Sequence, residues 1–314
     1  MNRRYAYFFV IFFLFFPFYE KASGIEIHYP YKIIAMRPCS RSSYIIFIKD
    51  KRGKLFLVKQ KTSHFRSIAS SLHSALTSKI YESIMEIRGQ QVDILNKNDR
   101  HKFPLKYKKF QASIHTIVPG ESVRQLFKNL NKGNIKLKRL FLNFNLAQKK
   151  ESGLTLAIIK LLRRHADLPH LVALSMLVGD YDCENKNIFY DQKSNHFFLI
   201  DMDRSFSQNL CESAYENLKK IMAKNHRCFS HFDIVSLKKL AQTLDLLMEK
   251  NPITDIMNHA RTIANKFDIK NQEDFMHIER LLKKINSFVH KSYSSAAKVI
   301  HLINYMATKI PRIM

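Results

Sequence analysis

Asp182 and Asn187 stand five positions apart in a polar stretch, and a further acid, Asp201, closes the apolar run that follows. From Leu177 to Phe206 the chain reads LVGDYDCENKNIFYDQKSNHFFLIDMDRSF. One carboxylate can orient an attacking hydroxyl, while an amide and a second carboxylate hold a divalent cation that bridges nucleotide phosphates. That residue set suits phosphoryl transfer. Asp180 and Asn185 repeat the same spacing, which leaves the register open by two, and Asp203 duplicates the acid at Asp201 and can pair with Arg204 or act as a second metal ligand.

The elements that must position these groups are short. Ile188 to Tyr190 is a β-branched and aromatic run, Asp191 to Asn195 is a turn, and Phe197 to Ile200 is a second apolar run. Together they predict a hairpin, and a hairpin returns the residues that flank it to the same end of a sheet. Asn187 and Asp201 are then neighbours.

On these residues the stretch resembles the catalytic and metal-binding segments of the protein-kinase-like superfamily, closest to its HipA-like and phosphoinositide-kinase branches. The HipA-like loop Gly-x-x-Asp-x-x-x-x-Asn is matched by Gly179, Asp182 and Asn187, and the strand end by Leu199-Ile200-Asp201-Met202-Asp203. The resemblance implies an α+β, two-lobed protein-kinase-like fold with a small β-rich N-lobe and a mostly helical C-lobe. It implies Asp182 as the catalytic residue, Asn187 and Asp201 as metal ligands, and ATP with Mg²⁺ or Mn²⁺ as cofactors.

The segment before this loop reads as the small lobe. Tyr31 to Met36, Tyr44 to Lys49 and Lys54 to Lys61 are strand-like, separated by turns at Arg37–Ser43 and Asp50–Gly53. The third strand carries Lys59, at the position where kinases place the lysine that pairs with nucleotide phosphates. Lys61 shares its face because strand side chains alternate with period two. Either can serve, and Lys59 is the preferred candidate. Ser67 to Ile87 has apolar residues at helical spacing, with Glu82 and Glu86 late on that helix. The resemblance implies an ion pair from one of them, preferably Glu82, to the phosphate lysine. It also implies that the Arg37–Ser43 turn lies over the phosphates, with the hydroxyls and amides of Ser40, Ser42 and Ser43 as their cradle and Arg41 adding charge.

Phe110 to Val118 reads as the strand leading to the hinge, ended by Pro119-Gly120, and its His115 as a packed or solvated histidine. Beyond Gly120 the pattern is helical, apart from the hairpin. Helices are expected at Leu154–Arg164, Leu171–Val178 after a break at Pro169, and around 215–224, 234–249, 253–267 and 274–309. The division is therefore residues 1–24 as a targeting segment, 25–120 as the N-lobe and 121–314 as the C-lobe, carrying the catalytic hairpin at 177–206.

Arg3 and Arg4 precede an apolar run from Tyr5 to Tyr19, and Ala22-Ser23-Gly24 offers a small-residue cleavage site. This reads as a cleaved secretory signal, hence a secreted protein; the alternative is a membrane anchor held arginine-side-in. The formal charge of +26 favours polyanionic partners such as nucleotides or an anionic membrane surface. Nucleic-acid binding has no motif to support it. Of the four cysteines, Cys39, Cys183, Cys211 and Cys228, no two have metal-ligand spacing, which argues against a structural zinc. Cys211 and Cys228 are the nearest pair should a disulfide form, and Cys183 is expected as a free thiol. The acceptor is expected to be a protein, with a lipid as the alternative. The rival of another class is a pseudokinase or a basic binding module.

Overall fold

The computed structural model describes residues 25, 27–40, 43–83, 90–129, 154, 156–180, 187–224 and 230–309. The targeting segment 1–24, Arg41, Ser42, Glu86, Asp182, Cys183, Asn185 and Cys228 lie outside the described residues.

The chain opens with β1 (Lys32–Ser40), β2 (Ser43–Lys49) and β3 (Leu55–Lys61), followed by helix α1 (His64–Glu82). Then come β4 (Val92–Ile94), the short α2 (Lys97–Arg100) and β5 (Ala112–Thr116). These five strands form one antiparallel sheet in the order β1-β2-β3-β5-β4. The turn between β2 and β3 forms because the Asp50 carboxylate accepts the Lys54 amide at 2.8 Å, while Gly53 supplies a backbone φ of +84°. Pro119-Gly120 separates this sheet from a second one, which begins with β6 (Glu121–Ser122).

Helices α3 (Val123–Asn129), α4 (Leu156–Leu162) and α5 (Leu168–Val178) precede the hairpin of β7 (Ile188–Asp191) and β8 (His196–Leu199). β6, β7 and β8 form a three-stranded sheet. The chain continues through α6 (Leu210–Lys224), α7 (His231–Lys250), α8 (Ile253–Ala264) and the long α9 (Gln272–Lys309). The architecture is the α+β arrangement expected, a small antiparallel sheet followed by a mostly helical part. Among the described residues, no helix is long and apolar enough to cross a membrane.

Several boundaries differ from the sequence reading. β1 runs on to Ser40, pairing Arg37 with Ile45, Pro38 with Tyr44 and Ser40 with Ser43. The expected Arg37–Ser43 phosphate turn is therefore mostly strand, because the β2 backbone offers pairing partners along that whole length. Pro169 does not interrupt the chain before α5 but sits in its first turn, where its missing amide costs nothing. α5 ends at Gly179, whose left-handed φ of +63° lets its amide return to Ser175. The two-residue β6 and three-residue β4 are too short to show a period.

Two apolar clusters hold the fold. One lies on a single face of the first sheet, built from Ile46, Ile48, Phe56, Val58, Phe103 and Ile114. The other is larger and joins α1 through Leu72, Leu76 and Ile80 to the helical half and its hairpin. Each fully buried Leu or Ile contributes roughly 1.5–3 kcal/mol by removal from water. Polar ties add direction: His64 meets Asp274 at 2.7 Å, Arg100 meets Asp268 at 3.0 Å and Lys266 meets Asp93 at 2.6 Å. All three run from the first sheet or its helices to the α8–α9 region.

Candidate active site

Period-two alternation sends Phe56, Val58 and Gln60 of β3 to one face of the sheet and Leu57, Lys59 and Lys61 to the other. The lysine face is mixed: apolar Ile45, Phe47 and Leu57 share it with a polar patch around the two lysines. Lys59 pairs with Ser113 of β5 and Lys61 with Ser43 of β2. Across from this face, α1 presents buried Ser67, Ser70, Ser71, Ser74, Thr77 and Ser78. Small hydroxyl side chains let helix and sheet approach while leaving room for two long lysines.

The hairpin brings the acids to these lysines. Ile188 pairs with Leu199, so Asn187 falls opposite Ile200, and the Ile200 amide donates to the Asn187 carbonyl at 2.9 Å. Asn187, buried, therefore lies next to Asp201 across the hairpin. Lys59 Nζ donates to Asp201 Oδ1 and, at 2.9 Å, to Asp203 Oδ2. Lys61 Nζ also reaches Asp203 Oδ2, at 2.5 Å, and Ser70 Oγ donates to the same oxygen at 3.3 Å. Burial alone would raise the Asp203 carboxyl, but the two ammoniums outweigh it and hold the group below the usual carboxylate range. Burial alone would lower Lys59, and the Asp201 and Asp203 carboxylates outweigh it to raise the ammonium.

The backbone around the acids is specialised. Asp201 has φ +56° and Phe206 φ +58°, so the segment between β8 and α6 is bracketed by two left-handed residues. That conformation is uncommon for a bulky side chain and persists only where packing enforces it. The Phe206 ring is buried, edge-on to Phe288 with centroids 5.7 Å apart, and its amide donates to the Val178 carbonyl at 2.6 Å. The Asp201 amide donates to Gln90 Oε1 at 3.3 Å, while Gln90 Nε2 donates to the Thr116 carbonyl at 3.3 Å. Gln90 thereby connects the end of β5 to the strand end that carries the acid.

Of the residues picked from the sequence, Lys59 meets Asp201, the Asn187 backbone pairs with Ile200 one residue before that acid, and Ser43 lies on the lysine face opposite Lys61. Asp180 is described and buried, Asp182 and Asn185 are not described, and the hairpin register puts Asn187 opposite Ile200, one residue before Asp201. Glu82 requires a correction. Its carboxylate pairs with Lys79 of the same helix at 3.4 Å, and the groups ordered on Lys59 are Asp201 and Asp203. Glu82 is the last residue of α1, while the part of the helix that meets this cluster is near Ser70. Glu82 is also the only acid that α1 contains.

Sequence reading missed Gln90 and Ser70, whose types carry no motif, and did not foresee that Asp203 takes both lysines. His115 is buried, with Nε2 2.8 Å from Ser113 Oγ, and burial pushes it down to about 3. Cys211 is a free, buried thiol pushed up to about 12 by burial.

A divalent cation fits the hairpin end on the chemistry of its donors. Asp201 keeps its side chain 38% exposed, and the Asn187 backbone bonds to the residue before it; a carboxylate and an amide both offer hard oxygens. Among the described residues, no three His, Cys, Asp or Glu side chains converge as a closed metal cage. A cation there would need further oxygens from a bound phosphate or water, as catalytic Mg²⁺ sites generally do.

No protein-family model matches the sequence, and no curated protein is significantly similar to it. Among solved structures, the chain is similar to the Helicobacter pylori proinflammatory kinase CtkA, with 12% identity and a TM-score of 0.37. That similarity covers 81% of this chain and 94% of the other. It is also similar to HipA from Shewanella oneidensis MR-1, a toxin–antitoxin protein solved with HipB and operator DNA. There the identity is 9% and the TM-score 0.43, over 88% of this chain and 67% of the other.

Proposed function

We propose that the chain is an atypical kinase that transfers a phosphoryl group from ATP to a hydroxyl acceptor, with a divalent metal. The observation that carries this reading is the meeting of Lys59 with Asp201 across 142 residues, with Asn187 alongside. A cation that pairs phosphate, and a carboxylate and an amide that ligate metal, are parts phosphoryl transfer requires.

In this reading Lys59 pairs with the nucleotide phosphates. When bound, the metal would neutralise charge on the transferred group. Asp201 and Asn187 would hold it, and Asp201 would give up its ammonium partner to do so. Asp182 would accept or orient the proton of the attacking hydroxyl, as the HipA-like loop implies. The acceptor in this proposal is a protein, on the same likeness.

Thermal shift with ATP and Mg²⁺ or Mn²⁺, on wild type and Asp201→Ala, tests the reading. Metal-dependent stabilisation by ATP that disappears in Asp201→Ala is the expected result. A folded wild type that no nucleotide stabilises would overturn it and favour a pseudokinase or basic binding module.

A further inference from the structure

Lys59 and Lys61 converge on one carboxylate. Asp203 Oδ2 takes Lys59 at 2.9 Å, Lys61 at 2.5 Å and the Ser70 hydroxyl at 3.3 Å. The burial of the two acids differs sharply: the Asp203 side chain is 5% exposed and that of Asp201 is 38% exposed. Asp201 is open to an incoming ligand, whereas Asp203 Oδ2 already serves three donors inside the fold. The two acids therefore do different work.

We propose that Asp203 is the positioning residue of the phosphate site, holding Lys59 and Lys61 side by side so that both ammoniums face the nucleotide triphosphate. The assignment rests on the kinase reading above and deepens it. Helix α1 supplies no acid to this cluster, since its one acid, Glu82, pairs with Lys79. The counter-charge comes instead from the segment after β8, two residues beyond Asp201, and α1 contributes only the Ser70 hydroxyl. Charge explains the arrangement. With both acids engaged, the four groups are neutral as a set. Once Asp201 turns to a metal, Lys59, Lys61 and Asp203 keep one net positive charge directed at the phosphates. A single lysine held by one acid would keep none. Lys61 becomes a second phosphate-binding residue, and its 18% exposed side chain gives it access to the cleft.

Calorimetric titration of the full chain with a non-hydrolysable ATP analogue plus Mg²⁺, and separately with adenosine, tests this. The variants are Asp203→Asn, Asp203→Glu, Lys61→Met and Glu82→Gln, each checked for folding by a urea melt. Asp203→Asn is expected to weaken the triphosphate analogue about tenfold or more while leaving adenosine affinity within about twofold. Asp203→Glu should restore part of the loss, and Glu82→Gln should match wild type. A merely structural role would lower both affinities together, or neither, and either pattern overturns the assignment. If Asp203→Asn does not fold, Lys61→Met decides: a selective loss for the triphosphate supports the two-lysine site, and an unchanged affinity overturns it. Wild type that binds the analogue alongside an unaffected Asp203→Asn removes this assignment and leaves the kinase reading standing. Wild type that binds no nucleotide removes both.

Discussion

Lys59 and Asp203 lie 144 residues apart in sequence and meet at 2.9 Å, each with less than a tenth of its side chain exposed. The contact joins the third strand of the first sheet to the segment leaving the hairpin of the second. The two sheets are thereby tied by one buried ion pair.

Replacing Lys59 by Met should therefore cost stability as well as nucleotide binding. Asp203 would keep Lys61, so the loss should fall near the low end for breaking a buried pair, about 3 kcal/mol. That corresponds to a fall in Tm of roughly 5–10 °C. Calorimetry with and without Mg²⁺ and ATP measures both effects, and an unchanged Tm would contradict the burial of the pair.

Gln90 holds the Asp201 amide and the Thr116 carbonyl at once. Gln90→Ala leaves the buried Thr116 carbonyl and the half-buried Asp201 amide without that partner, at roughly 1–3 kcal/mol. Because this contact reaches the backbone of Asp201, which has a left-handed φ of +56°, the metal dependence of ATP stabilisation should weaken more than the Tm falls. Titrating Mg²⁺ at fixed ATP by thermal shift checks it. Equal metal dependence in variant and wild type would assign Gln90 to the fold alone.

Gly179 ends α5 at φ +63°, and a Cβ there would lie 2.3 Å from the Gln208 carbonyl oxygen and 2.4 Å from the Phe288 ring. A substituent therefore meets both backbone strain and a clash. Gly179→Ala should destabilise by more than about 3 kcal/mol and displace the loop that follows. Chemical denaturation gives the first quantity. A variant within about 1 kcal/mol of wild type would mean that this turn is not held as described.

Two buried histidines set an acid limit. Burial pushes His73 down to about 4 and His115 down to about 3, against 6.5 in the unfolded chain. The unfolded state binds protons first as pH falls, so stability present above pH 6.5 is lost between 6.5 and the folded values. Each histidine should remove about 2 kcal/mol between pH 7.5 and 5. Urea melts across that range should show the slope, and His115→Gln should reduce it by about half. A stability profile flat from pH 7.5 to 5 is the result that would contradict the burial of these rings.

Much of the secondary structure was legible because it is local. The YIIFIK run, the Asp50–Gly53 turn and the helical spacing from Ile68 to Ile80 each appear where their period and turn chemistry place them. The hairpin too follows from two short apolar runs around a polar turn, which is why Asn187 and Asp201 could be paired before any coordinates. Where a local pattern had two outcomes, pairing decided. Arg37 to Ser40 read as a turn and became strand, because β2 could extend its ladder along them.

By itself the sequence determined the kinds of groups available: a lysine face on β3, an amide and acids around a hairpin, and a helix with two late acids, Glu82 and Glu86. Tertiary structure alone decided their partners. Glu82 was chosen for its separation from Lys59, but the packing of α1 brings Ser70 to the lysines and leaves Glu82 with Lys79. Asp203 looked like a duplicate of Asp201 until burial separated them, one enclosed by donors and the other partly open to solvent. The physical reason is range. Periodicity and turn chemistry act over a few residues, whereas an ion pair closed over more than 140 residues exists only once the apolar faces of both lobes have packed.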